Sequence, residues 1–330
     1  LLSAIAKEAR QFGDLDAESI ERMFLFSLAW SVGGLLETDD RIKFHQYIQQ
    51  QSKQAPKQEI IYDVFIDPKT KTWTTWQTIV KQWIYPANDR LDFSTLYVPT
   101  PDSVRAEYLI HKIADQFKDI LFLGSSGTAK TVTVEHFLTH LDPEKMLYKK
   151  INFSSATSPQ IFQNTIQSVI EKRFRAYGPP GQKKMTVFID DINMPEVNEW
   201  GDQITNEIVR QLVEMKGMYS LEKPGEWIAI EDLQFVGAMS HPGGGKNDIP
   251  NRLKRHFAIF NVTLPSKSSI DQIYGSIVRG RYNAQRGFSK DVCTVAERIT
   301  EATIGLWKKV AEKMLPTPSK FHYVFNLRDL

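Results

Sequence analysis

Residues 119–131 read Asp-Ile-Leu-Phe-Leu-Gly-Ser-Ser-Gly-Thr-Ala-Lys-Thr, and the rest of the chain is placed relative to them. The apolar run from Ile120 to Leu123 has the length and composition of a buried strand. It leads straight into Gly124, Ser125, Ser126, Gly127, Thr128, Ala129, Lys130 and Thr131. Val134, Phe137, Leu138 and Leu141 then fall at i, i+3, i+4 and i+7, one face of a helix. Strand, glycine loop and helix together are the context in which a phosphate-loop reading is credible. Backbone N–H groups of such a loop and of the helix N-terminus converge on an anion. Lys130 is then placed to reach β- and γ-phosphates, and the Thr131 hydroxyl to ligate Mg²⁺. Ala129 stands where the pattern has glycine, and it is expected in the right-handed conformation of a helix start. A glycine turn carrying a surface lysine is the plainer alternative. The agreement of context, Lys130 and Thr131 argues against it.

With 330 residues, 42% of them hydrophobic, the chain has room for about two domains and a sizeable core. A net charge of +2 gives no argument for nucleic acid as a partner. The longest uncharged apolar stretch, 23–36, is too short to span a bilayer and reads as a core helix, so no membrane partner is expected. Cys293 is the single cysteine, which excludes an internal disulfide and fits a reducing compartment such as the cytoplasm. Neither end resembles a targeting signal and the first residue is not Met, so the chain is expected to be a piece of a longer protein.

Asp16 is placed to cap a helix running from residue 17 towards 36, and 41–50 continues as a second, more polar helix. The polar stretch 49–57 contains Pro56 and marks a boundary. Segments 60–66 and 72–76, joined by the turn 67–71, predict a small β-hairpin. From residue 91 an α/β pattern takes over: a helix over 101–117, then strands at 120–123, 150–154, 185–190, 233–239 and 257–263. Helical segments separate the first four strands, the signature of a parallel sheet with crossover helices. A hairpin insert is expected from 218–221 and 227–230, and helices follow at 269–281 and 290–314.

The third strand ends in Asp190 and Asp191. A carboxylate there, beside a phosphate loop, can hold Mg²⁺ through its waters, and a second can orient or deprotonate an attacking water. Adjacent acids are also common in solvated turns; the upstream phosphate loop decides for the functional reading. Ser240 ends the fourth strand and precedes the run His241-Pro242-Gly243-Gly244-Gly245-Lys246, expected as a mobile surface loop. Arg252 and Arg255 are candidate arginine fingers or basic residues of a solvated helix. His136 and His140 lie four apart on a helix, but no Glu follows His136 and no third ligand is evident, so zinc is not expected. No Asn-Lys-x-Asp guanine reader occurs, which disfavours a GTPase.

GSSGTAKT at Gly124, FIDDINMP at Phe188, WGDQITNEIVRQL at Trp200, HPGGGKNDIPNRLKRHF at His241 and FNVTLPS at Phe260 together resemble an AAA+ module of a dynein heavy chain. The match is close to the third module of the axonemal type. HYVFNLRDL at His322 is similar to the segment carrying the sensor-2 arginine, and FLFSLAWSVGG at Phe24 resembles the closing helices of the second module. The resemblance covers nearly the whole chain.

It implies an α/β AAA+ P-loop NTPase fold, a parallel five-stranded sheet between helices plus a small helical lid. By this likeness 1–55 is the helical end of the preceding module and 56–90 a β-hairpin linker. Residues 91–265 are then the large nucleotide-binding subdomain, and 266–330 an incomplete small helical subdomain. The implied cofactors are ATP or ADP with Mg²⁺, held by loop residues 124–131, with Asp190 supporting the metal. Asp191 takes the place of the usual catalytic glutamate, Ser240 matches sensor 1 and Arg328 sensor 2, and Val98, Pro99 and Thr100 match the adenine-contacting segment. A regulatory module in a ring of six is implied, in a ciliary motor whose full-length protein meets microtubules and other dynein subunits. Two readings stay open: an ATPase that gates the ring, and a structural module that holds ATP or ADP without turnover. Asp191 and Ser240, the two departures from the pattern, favour the second; Lys130, Thr131, Asp190 and Arg328 favour the first. A third, an unrelated AAA+ remodelling enzyme, would need pore-loop aromatics that cannot be assigned.

Overall fold

A computed structural model describes residues 1–86, 96–243, 245–320 and 322–330. The expected boundary at 90/91 and Gly244 of the glycine run lie outside the described residues. By its contacts the chain divides into two compact units. One comprises residues 1–75, 106–125 and 130–263; the other comprises 76–105, 126–129 and 264–330.

Five strands form the centre of the first unit: β1 (Ile120–Leu123), β2 (Met146–Asn152), β3 (Lys184–Asp190), β4 (Leu233–Met239) and β5 (Ala258–Asn261). All pair in parallel, in the order β5-β1-β4-β3-β2. Every residue of β4 is buried, as a strand covered on both faces requires, and its sequence is accordingly apolar apart from Gln234. Edge strand β2 instead alternates half-buried and exposed positions. It begins at Met146, not at residue 150 as expected, because Lys149 and the exposed Tyr148 of an edge strand break the apolar run that a sequence reading looks for.

Helices α1 (Leu2–Ala9), α2 (Ala17–Val32), α3 (Thr38–Gln51), α4 (Pro101–Ala114), α5 (Lys130–Thr139), α6 (Pro159–Gln167), α7 (Ile204–Met215) and α8 (Asn251–Lys254) accompany these strands. Phe162 of α6 and Ile208 and Leu212 of α7 pack in one cluster with Leu121, Val187, Ile189 and Phe235 of the sheet. Phe153 meets Phe162 edge-on with ring centres 5.2 Å apart. Each buried side chain of this size contributes about 1.5–3 kcal/mol.

The N-terminal helices are tied to the sheet by a buried cation. Asp16 caps α2 by accepting from Ser19 N at 3.0 Å. Arg41, only 3% exposed, donates from Nη2 to the Asn261 carbonyl at 2.7 Å and from Nε to the Leu36 carbonyl at 3.0 Å. Its guanidinium lies 4.9 Å from the Tyr62 ring centre and 5.4 Å from that of Trp30. Carbonyl acceptors and aromatic faces offset the cost of burying this charge. The hairpin forms as expected, with Val64–Ile66 antiparallel to Trp73–Thr75, and so does the insert of Gly217–Tyr219 with Trp227–Ala229.

In the second unit, α9 (Lys267–Arg281), capped by Ser266, packs on α10 (Lys290–Lys313). Ile270, Ile304 and Leu327 form its small buried cluster, with Tyr274 and Trp307 against it. Among the described residues no helix is long and apolar enough to cross a membrane.

One buried acid sits just ahead of β1. Asp119 accepts a hydrogen bond from Phe235 N at 2.7 Å. Burial pushes its carboxyl above the usual range, against that hydrogen bond and the charges of Lys216, Lys118 and His256. A carboxyl raised in the folded state favours folding below its unfolded pKa, and that contribution is lost as the pH rises through the folded value. Asp119→Asn, which keeps an acceptor for Phe235, should therefore raise the melting temperature at pH 7. The difference should shrink as the pH falls to about 4, the ordinary aspartate range. Thermal melts of both chains across pH check this; a difference independent of pH would contradict it.

Candidate functional site

The parallel register brings the strand ends that matter to one edge of the sheet. Leu123 of β1 lies opposite Met239 of β4, and Ile189 of β3 lies opposite Gly237. Gly124 and Ser125 follow β1, Asp190 and Asp191 close β3, and Ser240 follows β4. Open α/β sheets bind ligands outside such carboxyl ends.

Lys130 opens α5 and Thr131 is its next residue. The Thr131 hydroxyl donates to Asp190 Oδ2 at 2.8 Å. A hydroxyl and a carboxylate so placed are hard oxygen donors of the kind Mg²⁺ takes, one or two from protein and the rest from phosphate and water. The donor set thus fits the ion that the motif implies. Lys130 Nζ donates to the carbonyls of Gly124 at 2.8 Å and Ser125 at 2.7 Å. The ammonium is held over the loop by acceptors weaker than a phosphate anion.

Residues 126–129 belong to the second unit. Gly127 has φ +83°, and a Cβ there would come within 3.0 Å of Asn326 Oδ1 and 3.3 Å of Leu327 N. Both conformation and space demand glycine at this position. Ala129 corrects the expectation from sequence: its φ is +61°, left-handed, and the helix begins only at Lys130. Glycine is the usual residue of the pattern for this reason, and an alanine here carries about 1–2 kcal/mol of strain.

Asp191 is also left-handed, at φ +52°, and its N–H donates to Asp190 Oδ1 at 3.1 Å. That leaves Asp190 accepting at both oxygens, from Thr131 and from Asp191. Ser240 accepts at its hydroxyl from Lys246 Nζ at 2.7 Å, and the same ammonium lies 3.5 Å from Asp191 Oδ1. Sequence reasoning missed Lys246 and took its glycine run for a mobile loop. Gly243 and Lys246 in fact exchange backbone hydrogen bonds of 3.0 and 3.2 Å, so the turn doubles back and returns the lysine to the strand end. Asn193, fully buried, braces the same turn by donating to the carbonyls of Ser240 at 3.1 Å and Asn247 at 2.9 Å. The one sequence signal for Lys246 was its spacing, six residues after Ser240 across a glycine run that can fold back.

The two finger candidates differ. Arg255 donates from Nη2 to Glu214 Oε1 at 2.7 Å. Arg252, on α8, is exposed.

Within the second unit, Val98 and Thr100 are buried, and the Pro99 carbonyl accepts from Gln272 Nε2 of α9 at 2.9 Å. Thr100 precedes Pro101 at the start of α4 and accepts at Oγ1 from Ser103 N at 3.3 Å, an N-cap followed by proline. Arg328 sits in the 3-10 turn Leu327–Asp329, where Asn326 Oδ1 accepts from its N–H at 2.8 Å and Asp329 Oδ2 accepts from Asn326 N–H at 2.7 Å. Leu327 is buried and its carbonyl accepts from the Tyr274 hydroxyl, so the turn presents an exposed Arg328 from a fixed base.

A parallel sheet in this strand order, with Lys130 and Thr131 after β1 and an acid pair after β3, is an AAA+ P-loop fold. Residues 85–265 match the family described as P-loop containing dynein motor region. Residues 1–78 match the dynein heavy chain AAA lid domain, and 299–330 the AAA+ lid domain. The chain belongs to the dynein motor family. It is 48% identical to dynein axonemal heavy chain 5 of Rattus norvegicus over 340 residues, covering 100% of this chain and 10% of that protein. Identity is 47% to dynein axonemal heavy chain 8 of Homo sapiens and 45% to the dynein gamma chain, flagellar outer arm, of Chlamydomonas reinhardtii. Each of those two matches covers 100% of this chain and 8% of the relative. The chain thus spans at most a tenth of the length of these relatives.

Strain at Ala129 gives a direct check. Ala129→Gly should stabilise the chain by up to about 1 kcal/mol, the relief of the left-handed strain less the entropy of the added glycine. Ala129→Val should destabilise it further, since a β-branched residue fits that conformation worse. Denaturant titration measures both; Ala129→Gly as destabilising as Ala129→Val would show that the backbone there is not left-handed.

Proposed function

We propose that this chain is a regulatory, ATP-binding AAA+ module of a ciliary dynein motor ring, and that it hydrolyses ATP slowly. The observation that carries the reading is the Thr131–Asp190 hydrogen bond beside Lys130, which puts two oxygen donors and one cation at the end of β1. On nucleotide binding, Lys130 exchanges the Gly124 and Ser125 carbonyls for phosphate oxygens, and the backbone of 124–131 holds the phosphates. Thr131 and Asp190 would hold Mg²⁺, which supplies charge neutralisation on the phosphates when bound. Val98, Pro99 and Thr100 take the adenine side, and Arg328 acts as the sensor-2 cation. Asp191 orients and accepts the proton of the attacking water, and Ser240 hydrogen-bonds the reacting group.

Slow turnover follows from two features of this set. Asp191 is one methylene shorter than the usual glutamate, so it stands further from the water, and a misplacement of about 1 Å costs on the order of a hundredfold in rate. Lys246 occupies the Ser240 hydroxyl and faces Asp191. Both groups must leave this lysine before they act. The same two features support the second reading, a structural module that holds ATP or ADP without significant turnover.

By resemblance the module is the third of its ring, with residues 1–55 closing the second. Its partners are the neighbouring modules of the same heavy chain and, through the full-length protein, microtubules and other dynein subunits in the axoneme of a cilium or flagellum. Arg252 is the better finger for the site of the preceding module, because Arg255 is paired with Glu214. The finger for the Lys130 site comes from the following module.

Three substitutions test these roles, by calorimetry on the 330-residue chain and by phosphate release from the complete ring. Lys130→Ala should abolish ATP binding without unfolding the chain, since the lysine is a charge aimed at phosphate and not a core residue. Asp191→Asn should leave binding intact and slow turnover. Lys246→Met should leave binding intact and raise turnover by freeing Asp191 and Ser240. The 330-residue chain alone should bind ATP and hydrolyse it barely above background, because a finger supplied in trans is worth roughly 10³–10⁵ in rate. Unchanged affinity in Lys130→Ala would refute the phosphate-loop roles, and turnover at the parent rate in Asp191→Asn would refute the base.

A further inference from the structure

Away from the phosphate loop, two helices bring three potential ligand groups together. Glu107 lies on α4 and His136 on α5, and His140, one turn further along the chain, is the residue that follows α5. One ligand atom from each of the three lies within 4.8 Å of the others. Glu107 Oε1 is 3.1 Å from His136 Nδ1, and the two imidazole centres are 4.3 Å apart. A fourth group, His111, one turn further along α4, has Nε2 at 3.9 Å from the same Glu107 oxygen. The sequence showed only the histidine pair; the carboxylate comes from 29 residues upstream and is visible only in the fold.

The hydrogen bonds fix how one ring is presented. His140 Nδ1 lies 2.7 Å from the His136 carbonyl, and a carbonyl only accepts. In the neutral ring Nδ1 therefore carries the hydrogen and Nε2 keeps its lone pair. Metal-bound imidazoles show this arrangement, with the second nitrogen donating to a backbone carbonyl or a carboxylate. Glu107 Oε1 and His136 Nδ1, 3.1 Å apart, already stand near the separation of two ligand atoms on one ion, which would take the place of the hydrogen between them.

We propose that Glu107, His136 and His140 bind one borderline transition-metal dication, Zn²⁺ by its chemistry, which clips α4 to α5. Two imidazoles and one carboxylate suit this class, whereas Mg²⁺ and Ca²⁺ select oxygen ligands. Three protein ligands leave a fourth tetrahedral position for water or for His111. At Zn–N and Zn–O distances near 2.0 Å, tetrahedral ligand atoms stand about 3.3 Å apart, so binding draws the three groups together by side-chain rotation. The site is separate from the Thr131–Asp190 pair and does not rest on the nucleotide reading.

The test is a calorimetric titration of the 330-residue chain, stripped with chelator, with Zn²⁺, and with Co²⁺ followed by its visible d–d absorption. One equivalent of Zn²⁺ should bind, raise the melting temperature and compete with Co²⁺, while excess Mg²⁺ does not displace it. His140→Ala and Glu107→Gln should each weaken Zn²⁺ at least about tenfold. Because His140 is exposed, its substitution should leave the metal-free melting temperature unchanged. His322→Ala, outside the cluster, should bind Zn²⁺ as the parent does. Absence of saturable Zn²⁺ binding would overturn the proposal, and so would binding that survives both His140→Ala and Glu107→Gln.

Discussion

The hydrogen bond from Thr131 to Asp190 is the interaction on which the site depends. It joins the first turn of α5 to the end of β3, two strands away from β1. Nothing local in the sequence brings these residues together. Parallel pairing of β4 with both β1 and β3 does so. A slip of one residue in β4 would turn its side chains to the opposite faces and move Ser240 and its turn off the edge. The apolar core thus sets the geometry of the polar edge.

Charge is distributed unevenly along that edge. Asp190 has both carboxylate oxygens satisfied, by a hydroxyl and by a backbone N–H, so it is held in place to receive a cation. Asp191 instead faces the ammonium of Lys246, which also holds Ser240. One acid of the pair is thereby prepared for a ligand and the other is engaged within the chain. Asn193 and the bridge from Gly243 to Lys246 make this engagement a property of a built turn, not of a loose side chain. Exposed lysine pairs contribute little on their own, and this one is more than half-withdrawn from solvent.

Legibility in the sequence followed the range of the interaction. Strands β1, β3 and β4 were readable because each is an apolar run between turn residues, and the phosphate loop was readable because its elements are contiguous. The start of strand β2 was misplaced by four residues because an edge strand mixes Lys149 and Lys150 with its apolar positions. The left-handed backbone of Ala129 was misread because an alanine does not announce a positive φ as glycine does. Lys246, Asn193 and the carboxylate of Glu107 act across turns or between helices, and no periodicity marks such contacts. Arg41 belongs with them: it reads as a surface residue of a polar helix, yet it is buried against Asn261, 220 residues away.

The most direct measurement is the affinity of the 330-residue chain for AMP, ADP and ATP, determined by calorimetry in Mg²⁺ at one salt concentration. If Lys130, Thr131 and Asp190 cradle phosphate, affinity resides in the β-phosphate and beyond. ADP and ATP should then bind at least about a hundredfold more tightly than AMP, each charge-assisted contact contributing about 1.5–3 kcal/mol. AMP binding as tightly as ATP, or no binding by any of the three, would contradict the account.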